Sequence, residues 1–141
     1  METLVDSNVI LDVFTDDRVW GDWSATALAQ AADRGPLIIN PIIYGEVSTR
    51  FVRVEDLDDA LPAEGFRRDA LPWDAAFLAA KAFADDRRRG GIRTSTLPDF
   101  LIGAHAAVRG FTLLTRDVAR YRTSYPTVAL IAPRAEGRSS S

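Results

Sequence analysis

Nine residues near the start, Leu4-Val5-Asp6-Ser7-Asn8-Val9-Ile10-Leu11-Asp12, restrict the fold more than any other stretch. A short apolar run reaches Asp6, passes two small polar residues and continues at helical spacing. A buried parallel strand reads as such a run, and Ser or Asn directly after it opens a helix. A strand-turn-helix unit places Asp6 at the carboxyl end of a central strand, the edge where open α/β sheets do their chemistry. A helix cap is the competing use of the same aspartate. This stretch alone does not choose between them.

The alternation continues along the chain. A helix runs through Ala25, Leu28, Ala29 and Ala32, with Asp22 and Ser24 as caps, and ends near Gly35-Pro36. Leu37-Ile38-Ile39 reads as a second buried strand. Pro41 then suits the first turn of a helix carrying Tyr44, Glu46, Val47, Arg50 and Phe51. The acidic cluster Glu55-Asp56-Leu57-Asp58-Asp59 reads as a solvated helix face or loop. Phe66 to Leu71 is polar enough for an edge strand, and Trp73 to Arg89 has helical spacing stopped by Gly90-Gly91. Another helix runs from Leu97-Pro98-Asp99 to Gly110. Phe111 to Thr115 is a strong strand leading into Arg116-Asp117. Tyr121 to Pro126 reads as a loop, and Val128 to Ile131 as the last strand. These elements predict a three-layer α/β sandwich, a parallel sheet of about five strands flanked by helices. It should occupy residues 1–133, with 134–141 a disordered polar tail.

Composition excludes several chemistries. A chain of 141 residues, 47% hydrophobic and 26% charged, suits one domain with a proper core. It has no apolar run of bilayer length and no basic-then-apolar leader, so the expected setting is cytoplasmic, with no membrane. It contains no cysteine, hence no thiolate nucleophile and no cysteine-bound zinc. Lys81 is the only lysine, so any lysine chemistry would have to use it. A net charge of -3 does not announce a nucleic-acid binder, but local patches decide phosphate binding.

Four acids remain. Asp6 and Asp117 follow two apolar strands, while Glu46 and Asp99 lie near the starts of two helices, each close to a proline. Strand carboxyl ends and the following helix N-termini share one edge of such a domain, so the four carboxylates can converge there. Clustered like charges need a cation, and oxygen ligands suit Mg²⁺ or Mn²⁺. Two such ions activate a water and stabilise the leaving oxygen in phosphodiester cleavage. If repulsion dominates that cluster, removing a charge by Asp99→Asn should raise the metal-free melting temperature. A role for Asp99 as a helix cap predicts the opposite sign.

Four segments also carry a resemblance. Val5-Asp6-Ser7-Asn8, Tyr44-Gly45-Glu46-Val47, Pro98-Asp99-Phe100-Leu101-Ile102-Gly103-Ala104-His105-Ala106 and Leu113-Leu114-Thr115-Arg116-Asp117 resemble the successive acidic motifs of PIN-domain ribonucleases. Their order and spacing are most similar to the VapC toxins, and the likeness runs from about Leu4 to about Pro133. The resemblance implies a Mg²⁺- or Mn²⁺-dependent endoribonuclease, the toxin of a type II toxin–antitoxin pair. It further implies a cognate antitoxin partner and a homodimer. It assigns Asp6, Glu46, Asp99 and Asp117 as catalytic acids and metal ligands, and Asn8 and Thr115 as polar groups supporting them.

Other residues weigh differently. His105 is the sole histidine, in an alanine-rich helix, and reads as a packing residue. Asp12 follows Asp6 by about one and a half to two helical turns and reads as facing the surface or a partner. Trp20, Trp23, Phe51 and Leu57 would lie near one another and meet a partner if the early helices pack side by side. Arg93, in the loop before Asp99, is a candidate phosphate contact. Haloacid-dehalogenase and response-regulator chemistry are disfavoured: Asn8 replaces the required second aspartate of the former, and Lys81 lies within a helix. A catalytically inactive RNA- or protein-binding module on the same fold remains the alternative.

Overall fold

The computed structural model of the chain describes residues 1–91 and 95–134. The first three elements are β1 (Thr3–Val5), α1 (Ser7–Phe14) and α2 (Gly21–Arg34). Next come β2 (Leu37–Ile39), α3 (Pro41–Ser48), α4 (Val54–Ala60) and β3 (Phe66–Arg68). The second half holds α5 (Trp73–Arg88), α6 (Leu97–Arg109), β4 (Thr112–Leu114), α7 (Val118–Arg122) and β5 (Leu130–Ile131). The described residues form a five-stranded sheet in the order β3-β2-β1-β4-β5. All four pairings are parallel.

That order decides where chemistry can sit. The chain builds outward from β1 through β2 to β3, then returns to place β4 on the other side of β1. The crevice at the carboxyl ends of β1 and β4 is therefore the topological switch point, where open α/β sheets bind ligands. Val5 is in register with Leu114, and the Asp6 N–H donates to the Leu114 carbonyl at 2.9 Å. Asp6 and Thr115 thus leave the sheet side by side.

The strands are short but buried. Leu4, Val5, Ile38, Ile39, Leu113 and Leu114 are fully enclosed. The edge strand β3 is the exposed one, as its Arg67 and Arg68 suggest. Gly103 lets α6 approach the final segment closely: a methyl group there would stand 2.4 Å from the Tyr125 ring and 3.0 Å from that of Tyr121. Gly110 ends α6 in the left-handed conformation that favours glycine.

Four local readings change. The α2 helix begins at Gly21, and the Asp17 carboxylate accepts the Val19 and Trp20 N–H groups ahead of it. Ser24 lies inside the helix instead of capping it, with its hydroxyl turned to Asp12. Residues expected to form a loop from Tyr121 begin within α7, which Asp117 caps by accepting the Arg120 N–H at 3.4 Å. Leu57 is buried, so it is unavailable as a partner surface; Phe51 instead packs edge-on against Phe14 at 5.7 Å. Among the described residues, no helix is long and apolar enough to cross a membrane. The predicted tail lies, from residue 135 onward, outside the described residues.

His105 is completely buried, and its tautomer follows from its neighbours. Asn40 Oδ1 accepts the Ile43 N–H, so the Asn40 amide NH₂ faces His105 Nδ1 at 2.9 Å. Nδ1 must accept, Nε2 carries the proton, and that proton is donated to Asp69 Oδ2 at 2.7 Å. Burial pushes the imidazole below its ordinary value, against the raising influence of Asp69. With the folded pKa depressed, the unfolded chain binds the extra proton. This contribution to stability is present above the unfolded value of about 6.5 and is lost as pH falls through it toward the folded one. His105→Gln should cost about 1–3 kcal/mol and flatten that acid-side slope while sparing activity. Melting curves between about pH 8 and pH 5 read both effects.

Candidate active site

Asp6 is the centre of the switch-point crevice. Only 2% of it is exposed, and its Oδ2 accepts hydrogen bonds from Thr115 Oγ1 at 2.8 Å and from Tyr121 Oη at 2.9 Å. Burial raises its carboxyl above the ordinary value, while those two hydroxyls, the Arg120 charge and the Ser7 N–H pull the other way. Glu46 reaches the same space from α3, with Ser7 donating its hydroxyl to Oε1 at 2.7 Å. Burial raises the Glu46 carboxyl too, and the negative charges of Asp6 and Asp99 add to the rise.

Asp99 stands in the first turn of α6 and forms a capping box. Its Oδ2 accepts the Thr96 N–H at 2.8 Å, and the Thr96 hydroxyl lies 3.2 Å from the same oxygen. Its Oδ1 lies 3.3 Å from Arg120 Nη1. Asp117, at the end of the β4 segment, places Oδ2 3.2 Å from Arg120 Nη2. All four acids act electrostatically with the one guanidinium of Arg120, which meets two of them directly. The structure thus brings Asp6, Glu46, Asp99 and Asp117 to one crevice.

Thr115 ties the two strand ends together. Its hydroxyl serves Asp6, accepts the Asp117 N–H at 3.1 Å and lies 3.5 Å from Asn8 Nδ2. Asn8 Oδ1 in turn lies 3.5 Å from the Arg116 N–H. Both residues therefore border the acids without belonging to them. Arg93 lies outside the described residues.

Several participants escape sequence reasoning. Tyr121 and Arg120 belong to a five-residue helix that has no apolar periodicity long enough to announce it. An aspartate followed three and four residues later by Arg and Tyr was the available signal, because a capped turn brings those side chains back over the cap. Asp12 requires correction. Instead of facing the surface it is 3% exposed, holds Arg116 by a two-pronged pair at 2.7 and 3.1 Å, and accepts the Ser24 hydroxyl.

The expected gain in metal-free stability from Asp99→Asn also changes sign. Asp99 has favourable partners in the Thr96 N–H, the α6 N-terminus and Arg120. An asparagine can still accept from Thr96, but it loses the charge that both the helix dipole and the guanidinium favour. The variant should melt below the parent in EDTA, by up to about 1 kcal/mol. A variant melting above the parent would mean that repulsion outweighs the cap.

The donor set suits a hard divalent cation: four carboxylates, oxygen only, with the Arg120 guanidinium set against them. Among the described residues, however, no three acidic or histidine side chains stand close enough to grip an ion as they are placed. The chemistry fits, and the Arg120 guanidinium stands between two of the acids.

The family model described as PIN domain matches residues 3–124. No curated protein matches the chain by sequence. Among solved structures, VapBC2 from Rickettsia felis, bound to a DNA fragment from its promoter, is similar with a TM-score of 0.73 and 16% identity, covering 95% of this chain and 100% of that one. VapBC-1 from nontypeable Haemophilus influenzae gives a TM-score of 0.72 at 16% identity, over 94% and 98% of the two chains. A toxin-antitoxin complex from Klebsiella pneumoniae gives 0.60 at 21% identity, over 94% and 98%.

Proposed function

The chain belongs to the PIN-domain family, and from that premise we propose that it is a Mg²⁺- or Mn²⁺-dependent endoribonuclease acting as the toxin of a toxin–antitoxin pair. One observation supports this above all: four carboxylates from four separate elements share the switch-point crevice around the Arg120 guanidinium. A fold does not need such a cluster, because like charges gathered in one place oppose folding. Nuclease chemistry does need it.

Asp6, Glu46, Asp99 and Asp117 would hold the ion. When bound, it supplies the activated water and the Lewis acidity that phosphodiester hydrolysis requires. The chain's own work is to fix the acids. Thr115 and Tyr121 lock one oxygen of Asp6, Ser7 orients Glu46, and the capping box sets Asp99. The products should carry a 5′-phosphate and a 3′-hydroxyl.

The partners proposed are an RNA substrate, a small cognate antitoxin and a second copy of the chain. The toxin-antitoxin complex among the structural neighbours supports the antitoxin. The test is cleavage of RNA by the purified chain in Mg²⁺ or Mn²⁺, with and without EDTA. Activity should appear only with the cation and disappear when the chain is co-expressed with its cognate antitoxin. A folded, partner-free protein that binds Mn²⁺ yet cleaves no RNA would sink the nuclease reading and favour the inactive binding module.

A further inference from the structure

Two arginines leave the same short segment after β4, and each meets buried or half-buried acids, but they are held differently. Arg116 fits Asp12 as a fork: Nε to Oδ2 at 2.7 Å and Nη2 to Oδ1 at 3.1 Å, both with hydrogen-bond geometry. Short, two-pronged, charge-assisted contacts of this kind are strong and geometrically specific. Arg120 instead divides itself. Nη1 lies 3.3 Å from Asp99 and Nη2 3.2 Å from Asp117, at the long end for charged pairs. Neither contact has hydrogen-bond geometry, and the Nε–H is buried with no acceptor among the described residues. An unmet buried donor is what a loosely held guanidinium leaves, in contrast to the fully engaged fork of Arg116.

We propose that Arg120 is an in-built counter-cation of the four-carboxylate crevice, and that a divalent ion must displace its guanidinium in order to bind. This rests on the metal-site reading given above. The placement supports it: Arg120 sits on the five-residue helix α7, outside the sheet, and its own side chain is 23% exposed while its neighbour Tyr121 is buried. A way out toward solvent is therefore open. Displacement also frees the buried Nε–H to find water. With the guanidinium in place, Asp99 and Asp117 contact the positive charge directly, while Asp6 and Glu46 take their hydrogen bonds from hydroxyl and N–H donors and feel Arg120 only from a distance. A doubly charged ion on the same four acids neutralises more. The consequence is quantitative: occupancy by Arg120 lowers the apparent affinity for the ion by the fraction of molecules in which the crevice is free.

The experiment titrates the full chain with MnCl₂ by calorimetry, for the parent and for Arg120→Met, which keeps an unbranched apolar stem and removes the guanidinium with its charge. The variant should bind Mn²⁺ about tenfold more tightly, as for a crevice free in about one parent molecule in ten. In EDTA it should melt below the parent, and that difference should close at saturating Mn²⁺. Equal or weaker Mn²⁺ affinity in the folded variant overturns the proposal. If Arg120→Met does not fold in EDTA, Arg120→Lys replaces it: a single ammonium cannot span both acids, so its Mn²⁺ affinity should exceed the parent's, and an affinity no higher overturns the proposal. Failure of both parent and variants to bind Mn²⁺ removes this inference and the metal site together. Tighter binding by the variant with no RNA cleavage by the parent removes only the nuclease reading.

Discussion

Asp6→Asn should abolish RNA cleavage, by about a hundredfold or more, and leave the metal-free protein at least as stable as the parent. The two halves of that expectation come from the same burial. Asp6 is enclosed at the end of β1, and taking its charge out of water raises its carboxyl above the ordinary value. An asparagine keeps an oxygen that can accept the Thr115 and Tyr121 hydroxyls, so the local hydrogen bonds survive while the desolvated charge disappears. The same argument fixes the pH dependence. A raised folded pKa means that the folded chain binds more protons than the unfolded one near those values. Metal-free stability from Asp6 and Glu46 is therefore fully present below about pH 4 and is lost as pH rises through their raised folded values. Asp6→Asn should remove the Asp6 share of that loss. Cleavage assays in Mn²⁺ with melting curves in EDTA separate the two roles. A folded variant with near-parental cleavage would mean that Asp6 only ties Thr115 and Tyr121 to the end of β1, since its side chain does not cap α1.

How much of this was legible depends on whether a residue's partners are local. Asp6 and Asp117 follow strands and Asp99 opens a helix, while Glu46 stands one turn further along α3; the parallel sheet carries the starts of these elements to one edge, so adjacent sequence sufficed. Strand β3 was legible as an edge because Arg67 and Arg68 interrupt its apolar pattern. His105 was legible as a packing residue from its alanine-rich helix, but not its Asn40 and Asp69 partners, 65 and 36 residues distant in sequence. Asp12 was misread for the same reason. Helical spacing shows that it points away from Asp6, yet only the sheet order reveals that β4 delivers Arg116 to meet it, across 104 residues. Arg120 and Tyr121 were lost because one turn of helix is too short to show periodicity.

The Asp12–Arg116 pair should be the costliest single contact in the site region to break. Asp12 has a side chain 4% exposed, and among the described residues its carboxylate is held by Arg116 and Ser24. Arg116→Ala leaves that carboxylate buried with one hydroxyl donor, and a buried ion deprived of its partner costs about 3–5 kcal/mol. The Arg116 side chain is 33% exposed, so water can follow it in part, and the expected loss is at the lower end, about 3 kcal/mol. More than charge goes with it, because the guanidinium also lies over the Trp20 ring at 5.7 Å and so pins the start of α2. The double replacement Asp12→Ala/Arg116→Ala should recover a large part of the loss, since it removes the stranded charge together with its partner. Urea unfolding of the parent, both single variants and the double variant closes the cycle. An Arg116→Ala protein within about 0.5 kcal/mol of the parent would place the pair among solvent-screened surface contacts. The segment leading to Asp117 would then be held by Thr115 and Asn8 alone, and the precision of the acidic crevice would have to come from the sheet instead of from this lock.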